Sequence, residues 1–162
     1  MPSANRAATT GVQPAPTWDE LAAPSDNKRA HWAWGRNRTE FVACGEDWQA
    51  VSVKPLQLGL DALAAMDAGT RRGYLVVADH LRRVLYVLVP TGSSEAFAGI
   101  PGVRVLGRGH QLLMPCSPRD SSAVADWVGT PSDLDHPALV DPGRLAARLQ
   151  ELAGAYEEAV AS

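Results

Sequence analysis

Several short stretches place chemically capable side chains close together. In TPSDLDHP, Asp133, Asp135 and His136 form a compact acid–histidine cluster and the candidate metal-ligand set of the chain. Asp and Ser in such company also cap turns by accepting hydrogen bonds from nearby amides, and that reading is preferred here. Asp79-His80 supplies two members of a hydrolytic relay, but no Ser or Cys can be assigned as its nucleophile, so a turn is again expected. Gly107-Arg108-Gly109-His110 lacks the spacing and the downstream lysine of a phosphate-binding loop, and it lies between two β-runs. The remaining candidates are cations. Lys54, Arg71, Arg72, Arg82, Arg83, Arg104, Arg108 and His110 flank one proposed hairpin and one glycine turn. Gathered on one surface they would form a positive stripe able to contact phosphate oxygens.

That stripe stands in an acidic chain. The 162 residues carry a formal net charge of −3, so no global charge signature for nucleic acid or an anionic membrane exists, and any anion binding must be local. An apolar fraction of 46% with 20% charged residues belongs to a globular class. No apolar run has the length of a membrane-spanning helix, and MPSANRAATTGVQPAP lacks the apolar centre of a secretory signal, so a cytoplasmic protein without membrane association is expected. Cys44 and Cys116 stand far apart with no metal-ligand spacing, and reduced, partly buried thiols are expected. Arginine greatly outnumbers lysine, beside heavy use of Ala, Gly and Pro, a bias of high-GC bacterial genomes such as those of actinobacteria.

The elements that must position these groups can be read along the chain. Residues 1–16 are expected to be a disordered tail and residues 17–162 a single domain. Thr17-Trp-Asp-Glu20 opens a short helix that stops near Pro24. HWAWGRNRTEFVACG holds one or two strands, and WQAVSV, residues 48–53, is a strand ended by Lys54-Pro55. Residues 56–69 are helical, with Leu56, Leu60 and Leu63 on one face and Gly69 as the C-terminal stop. YLVVAD and VLYVLVP form an antiparallel hairpin whose near-continuous apolar runs predict cover on both faces. VRVLG and QLLMPC follow as a further strand pair in the same sheet, and ADWV makes a last strand. Asp141 and Pro142 are N-cap and first residue of a closing helix with the stripe Leu145, Leu149, Leu152, Tyr156, Val160. The fold class is therefore α+β, a mostly antiparallel β-sheet with packed helices.

The order of these segments resembles the N-terminal domain of bifunctional DNA primase/polymerases, of the archaeo-eukaryotic primase type. WQAVSVKP stands where that family has a strand ending in Asp-x-Asp-Pro. RVLYVLVP stands where it has His-x-Tyr-Phe and a closing proline, and GVRVLGRGHQLLMPCSP where it has Gly-Val-Asp-x-Arg-Gly, a glycine turn and Pro-Pro-Ser. The resemblance covers roughly residues 48–140. It implies a primase/polymerase-like fold and, in the family, two divalent cations held by carboxylates for in-line phosphoryl transfer. Carried over residue by residue, the Asp-x-Asp pair becomes Ser52 and Lys54, the motif histidine becomes Val84, and the third acidic ligand becomes Arg104. Valine, lysine and arginine give a hard cation no oxygen ligand. The resemblance thus implies a degenerate member without metal or other cofactor.

Three functions follow as expectations. The first is a non-catalytic regulatory or adaptor module that binds a protein partner or a nucleotide in the degenerate cleft. The second is an accessory nucleic-acid-binding protein of replication or a mobile element. The third is a metal-dependent nucleotidyltransferase whose ligands lie elsewhere. The anion- or nucleotide-contacting residues expected are Lys54, Arg82, Arg83, Arg104, Arg108, His110 and Ser117. Arginines at hairpin ends also serve as a solvated guard against edge pairing, so both readings of the stripe stay open. Trp32, Trp34, Trp48 and Trp127 are expected as core or cover rather than as base-stacking platforms.

Overall fold

A computed structural model of the chain describes residues 39–45, 48–66, 74–115, 122–128 and 139–161. The strands are β1 (Thr39–Ala43), β2 (Gln49–Val53), β3 (Val76–Asp79), β4 (Val84–Val89), β5 (Val103–Leu106), β6 (Gln111–Pro115) and β7 (Asp126–Trp127). The α-helices are α1 (Leu56–Ala65) and α2 (Pro142–Ala161), and a 3-10 turn spans Ser94–Phe97. The result is an α+β fold with an antiparallel sheet and two packed helices.

Five strands form the main sheet in the order β5-β2-β4-β3-β7, with antiparallel neighbours throughout. Side chains alternate across a strand, so the sheet must be covered twice if both sets are apolar. Both are. One face presents Val51, Val53, Val76, Ala78, Leu85 and Val87, and both helices pack on it. The opposite face presents Ala50, Leu75, Val77, Leu88, Leu106 and Trp127.

That second face explains the largest departure from the sequence expectation. β5 and β6 are not paired in one sheet. β5 is an edge of the main sheet against β2, whereas β6 leaves it and pairs with β1, Phe41 opposite Leu113 and Ala43 opposite Gln111. The two-stranded ribbon lies over the face opposite α1 and α2, into which Val42, Cys44, Leu112 and Met114 are buried with Trp48. Had β6 stayed beside β5, the apolar residues of that face would have remained wet, at about 25 cal/mol per Å² of apolar surface. The turn between β5 and β6 permits the departure. His110 N–H donates to Gly107 O at 3.1 Å, and Cys44 N–H donates to His110 O at 3.0 Å, which fastens the turn to the ribbon.

The helices follow the sequence more closely. Asp141 caps α2, its Oδ2 accepting from Arg144 N–H at 3.2 Å, and Pro142 is the first helical residue. Leu145 and Leu149 are fully buried, and Leu152 and Tyr156 are partly buried against the same core. The side chain of Val160 lies outside the described residues, as does Gly69. The buried face of α1 is Leu58, Gly59, Ala62 and Leu63, with Leu56 and Leu60 at its margins, so the expected stripe is rotated. Gly59 is the reason. A Cβ there would lie 2.5 Å from Leu85 Cδ2, so its missing side chain lets the helix approach β4 closely.

Candidate functional site

The site is built at one end of the ribbon-covered face, where β2 runs out at Ser52 and Lys54. Ser52 is opposite Tyr86 of β4 on one side and opposite Arg104 of β5 on the other. Residues paired this way point to one face, with Cβ atoms about 5 Å apart. Val84 lies two residues from Tyr86 on the same face and is opposite Asp79 of β3. Ser52, Val84 and Arg104 therefore share one surface with Tyr86 and Asp79. Strand spacing sets the Tyr86 and Arg104 backbones about 10 Å apart, and the short Ser52 between them leaves both long side chains free to lean inward.

The β3–β4 turn supplies the next groups. Asp79 is buried, and its Oδ1 accepts from the amides of Leu81 at 3.1 Å and Arg82 at 2.9 Å. This is the turn expected of Asp79-His80. Arg83 takes a positive φ of 57°, and its carbonyl accepts from Leu56 N–H at 2.8 Å. Because Pro55 offers no side-chain cap, this bond satisfies an N–H of the first turn of α1 and docks the hairpin end onto the helix. His80 pairs with Asp126, its Nε2 2.9 Å from Asp126 Oδ2, and its amide donates to Ala123 O. The pair ties the turn to β7.

Asp79, Arg82 and Tyr86 line an open cleft of about 220 Å³ between the sheet and the ribbon. Leu106 and Val124 form apolar walls, and Phe41, Gln111 and Leu113 of the ribbon complete the rim. The phenol of Tyr86 is held above its ordinary value of 10.0, chiefly by burial and then by the negative charge of Asp79, while Arg82 and Arg104 act against the rise. Tyr86 thus stays a neutral hydrogen-bonding group beside two guanidinium ions.

The expected cations divide into two groups. Lys54, Arg82, Arg83 and Arg104 are exposed and gather at the Ser52 end. Arg83 and Lys54 meet there because Arg83 O bonds the start of α1, and Gly102 O accepts from Lys54 N–H at 2.9 Å. Arg108 and His110 are also exposed but sit at the other end of β2. Gly45 packs against the Arg108 backbone, and Gly107 lies against Gln49. Four residues of extended chain, about 13 Å, separate Arg104 from Arg108. The basic turn therefore belongs to the far edge of the sheet. Ser117 lies outside the described residues, as do Arg71, Arg72, Cys116, the Asp133–Asp135–His136 cluster, Trp32, Trp34 and the segments 1–16 and 17–24.

Two residues of the cleft were not foreseen as site residues. Tyr86 was legible as part of an apolar run and as the tyrosine of the resembling motif, and Asp79 as a relay member for which the turn reading was preferred. Trp48 and Trp127 are buried in the core beneath the ribbon, in keeping with their composition-based reading. Among the described residues no three His, Cys, Asp or Glu side chains converge as a metal site, and no helix is long and apolar enough to cross a membrane. Comparison with family models, with curated proteins and with solved structures found no match.

Proposed function

We propose that this chain is a non-catalytic, primase/polymerase-like domain that works as a regulatory module by binding a nucleotide in the cleft beside Tyr86. The observation that carries the reading is the pairing of Ser52 with Arg104 across β2 and β5. The two positions at which the resembling family concentrates carboxylates are neighbours on one face, and here they hold a hydroxyl and a cation. Val84, the counterpart of the motif histidine, is apolar and buried on that face. Among the described residues Asp79 is the one carboxylate that the sheet register brings to this surface, fewer than the several oxygen ligands a hard cation takes. It suits the phosphate itself, since Arg104, Lys54 and Arg82 offer charge-assisted donors to its oxygens. Phosphoryl transfer relies on metal ions to clamp the attacking and leaving oxygens, so a cleft that binds without metal has no route to nucleotidyl transfer.

Titration calorimetry with nucleoside triphosphates, with and without magnesium, tests the reading. Binding should be independent of metal, should weaken with salt, and should fall on Arg104→Ala. Primer extension should be absent. Tight binding that requires magnesium, or primer extension, would restore the nucleotidyltransferase reading. Binding to DNA with a steep salt dependence would favour an accessory nucleic-acid-binding protein, because several neutralised phosphates release their counterions together. Failure to bind either would leave a protein partner as the occupant.

A further inference from the structure

Among the described residues, one oxygen of Asp79, a residue that lines the cleft, accepts no hydrogen bond. Asp79 has a side-chain exposure of only 3%, and its two oxygens are unequal. Oδ1 is taken by the two turn amides, whereas the nearest cation to Oδ2 is Arg82 Nη1 at 3.8 Å. That is beyond hydrogen-bond range, and the Arg82 side chain is 78% exposed, so the contact holds the carboxylate weakly. A buried carboxylate oxygen without a hydrogen bond is costly, and Asp79 is one of the residues that line the cleft.

A carboxylate only accepts, so the ligand edge that meets Oδ2 must carry donors. Deepening the nucleotide-binding reading, on which it rests, we propose that the cleft selects guanine, with Asp79 Oδ2 accepting from the base N1–H and 2-amino group. Guanine is the common base whose pairing edge sets two donors side by side. Adenine and cytosine each place a ring acceptor next to their amino group, which would face the carboxylate lone pairs. Uracil and thymine flank their single N–H with two carbonyls. The guanine O6 is an acceptor, and Gln111 and the neutral Tyr86 hydroxyl line the same cleft with donors to meet it. The apolar walls of Leu106 and Val124 suit the faces of a purine ring, and the cleft of about 220 Å³ has room for a base with its sugar and phosphate emerging toward Arg82 and Arg104.

Guanosine, inosine, adenosine and cytidine monophosphates, titrated into the unaltered chain, separate this inference from the reading beneath it. Inosine monophosphate differs from guanosine monophosphate only by the missing 2-amino group. Guanosine monophosphate should bind at least tenfold tighter than each of the others. Asp79→Asn keeps an oxygen for the turn amides but turns the second position into a donor, and it should remove that preference while circular dichroism stays unchanged. Arg104→Ala should weaken all four nucleotides by a similar factor and leave their ratios intact. Equal binding of the four would overturn the guanine assignment and spare the nucleotide reading. Absence of binding by any of them would overturn both. The comparison of guanosine with inosine monophosphate needs no variant, so it decides the matter even if Asp79→Asn fails to fold.

Discussion

Ser52 and Arg104 stand directly opposite one another across β2 and β5, a small hydroxyl facing a guanidinium at the edge of the main sheet. The pairing leaves Arg104 without a carboxylate partner on its neighbouring strand. Ser52→Asp would supply one. The introduced carboxylate should pair with Arg104 and gain about 0.2–1 kcal/mol of stability, as cross-strand ion pairs do. It should also lower nucleotide affinity about as much as Arg104→Ala. In the double variant the new carboxylate has no Arg104 to pair with and faces the phosphate unpaired, so it should bind worse than either single one, which calorimetry can read directly.

Cys44 is a free, buried thiol whose pKa is pushed up from 9.0 to about 11 by burial. The thiolate is the nucleophile, so iodoacetamide at pH 8 should modify Cys44 only through unfolding, and peptide mapping should show labelling rising with denaturant. Since the folded value is the higher one, the stability linked to this thiol is complete below about pH 9 and is lost as pH rises through 11.

Tyr156 on α2 donates its hydroxyl to Asp61 Oδ2 on α1, and that hydrogen bond is the main cause of its rise from 10.0 to about 12. The sign is the same as for the thiol. The contact contributes fully below pH 10 and is lost between 10 and 12. Absorbance titration near the phenolate band should find, beside the raised Tyr86, a tyrosine titrating near pH 12 that vanishes in Tyr156→Phe. That variant should lose about 0.5–1.5 kcal/mol at neutral pH, the usual worth of such a bond.

Gly102 and Gly92 share nearly the same backbone, with φ of +76° and +79°, but not the same surroundings. A Cβ on Gly102 would lie 2.1 Å from the carbonyl oxygen of Lys54, whereas one on Gly92 would meet nothing within 4 Å. Gly92→Ala should therefore cost only the left-handed conformation, about 1–2 kcal/mol. Gly102→Ala should cost clearly more in a denaturant melt. It should also displace Lys54, and with it the cation nearest the end of β2.

Leu149 is fully buried in the interface of α2 with the sheet and α1. Leu149→Ala should lower stability by about 2–5 kcal/mol through the cavity it leaves, and a matching fall in denaturation midpoint would check it. A change near zero would mean that α2 does not cover this face in solution.

The elements themselves were legible because local rules fix them. The unbroken apolar runs of VVAD and VLYVLV announced strands covered on both sides, and Asp141-Pro142 announced the start of α2 before its leucine stripe. Period alone also put Ser52 and Lys54, Tyr86 and Val84, and Arg104 and Leu106 on shared faces of their own strands. It did not say which strands are neighbours. That is a long-range pairing decided by burial, and burial sent β6 to β1, because Ala50, Val77 and Leu88 needed a cover that two helices on the other face cannot give.

The site inherits the same division. Residue types alone marked Lys54, Arg82, Arg83 and Arg104 as anion-binding candidates, and the sheet register brought them to one end. Arg108 and His110 carry the same chemistry and are close in sequence, yet the antiparallel run of β5 beside β2 delivers them to the opposite end. Asp79 shows the limit most clearly. Its sequence neighbours identify a turn former and account for one carboxylate oxygen. Only the packing of the ribbon over the sheet makes Asp79 a lining residue of a cleft, because that surface is made by strands far apart in the chain.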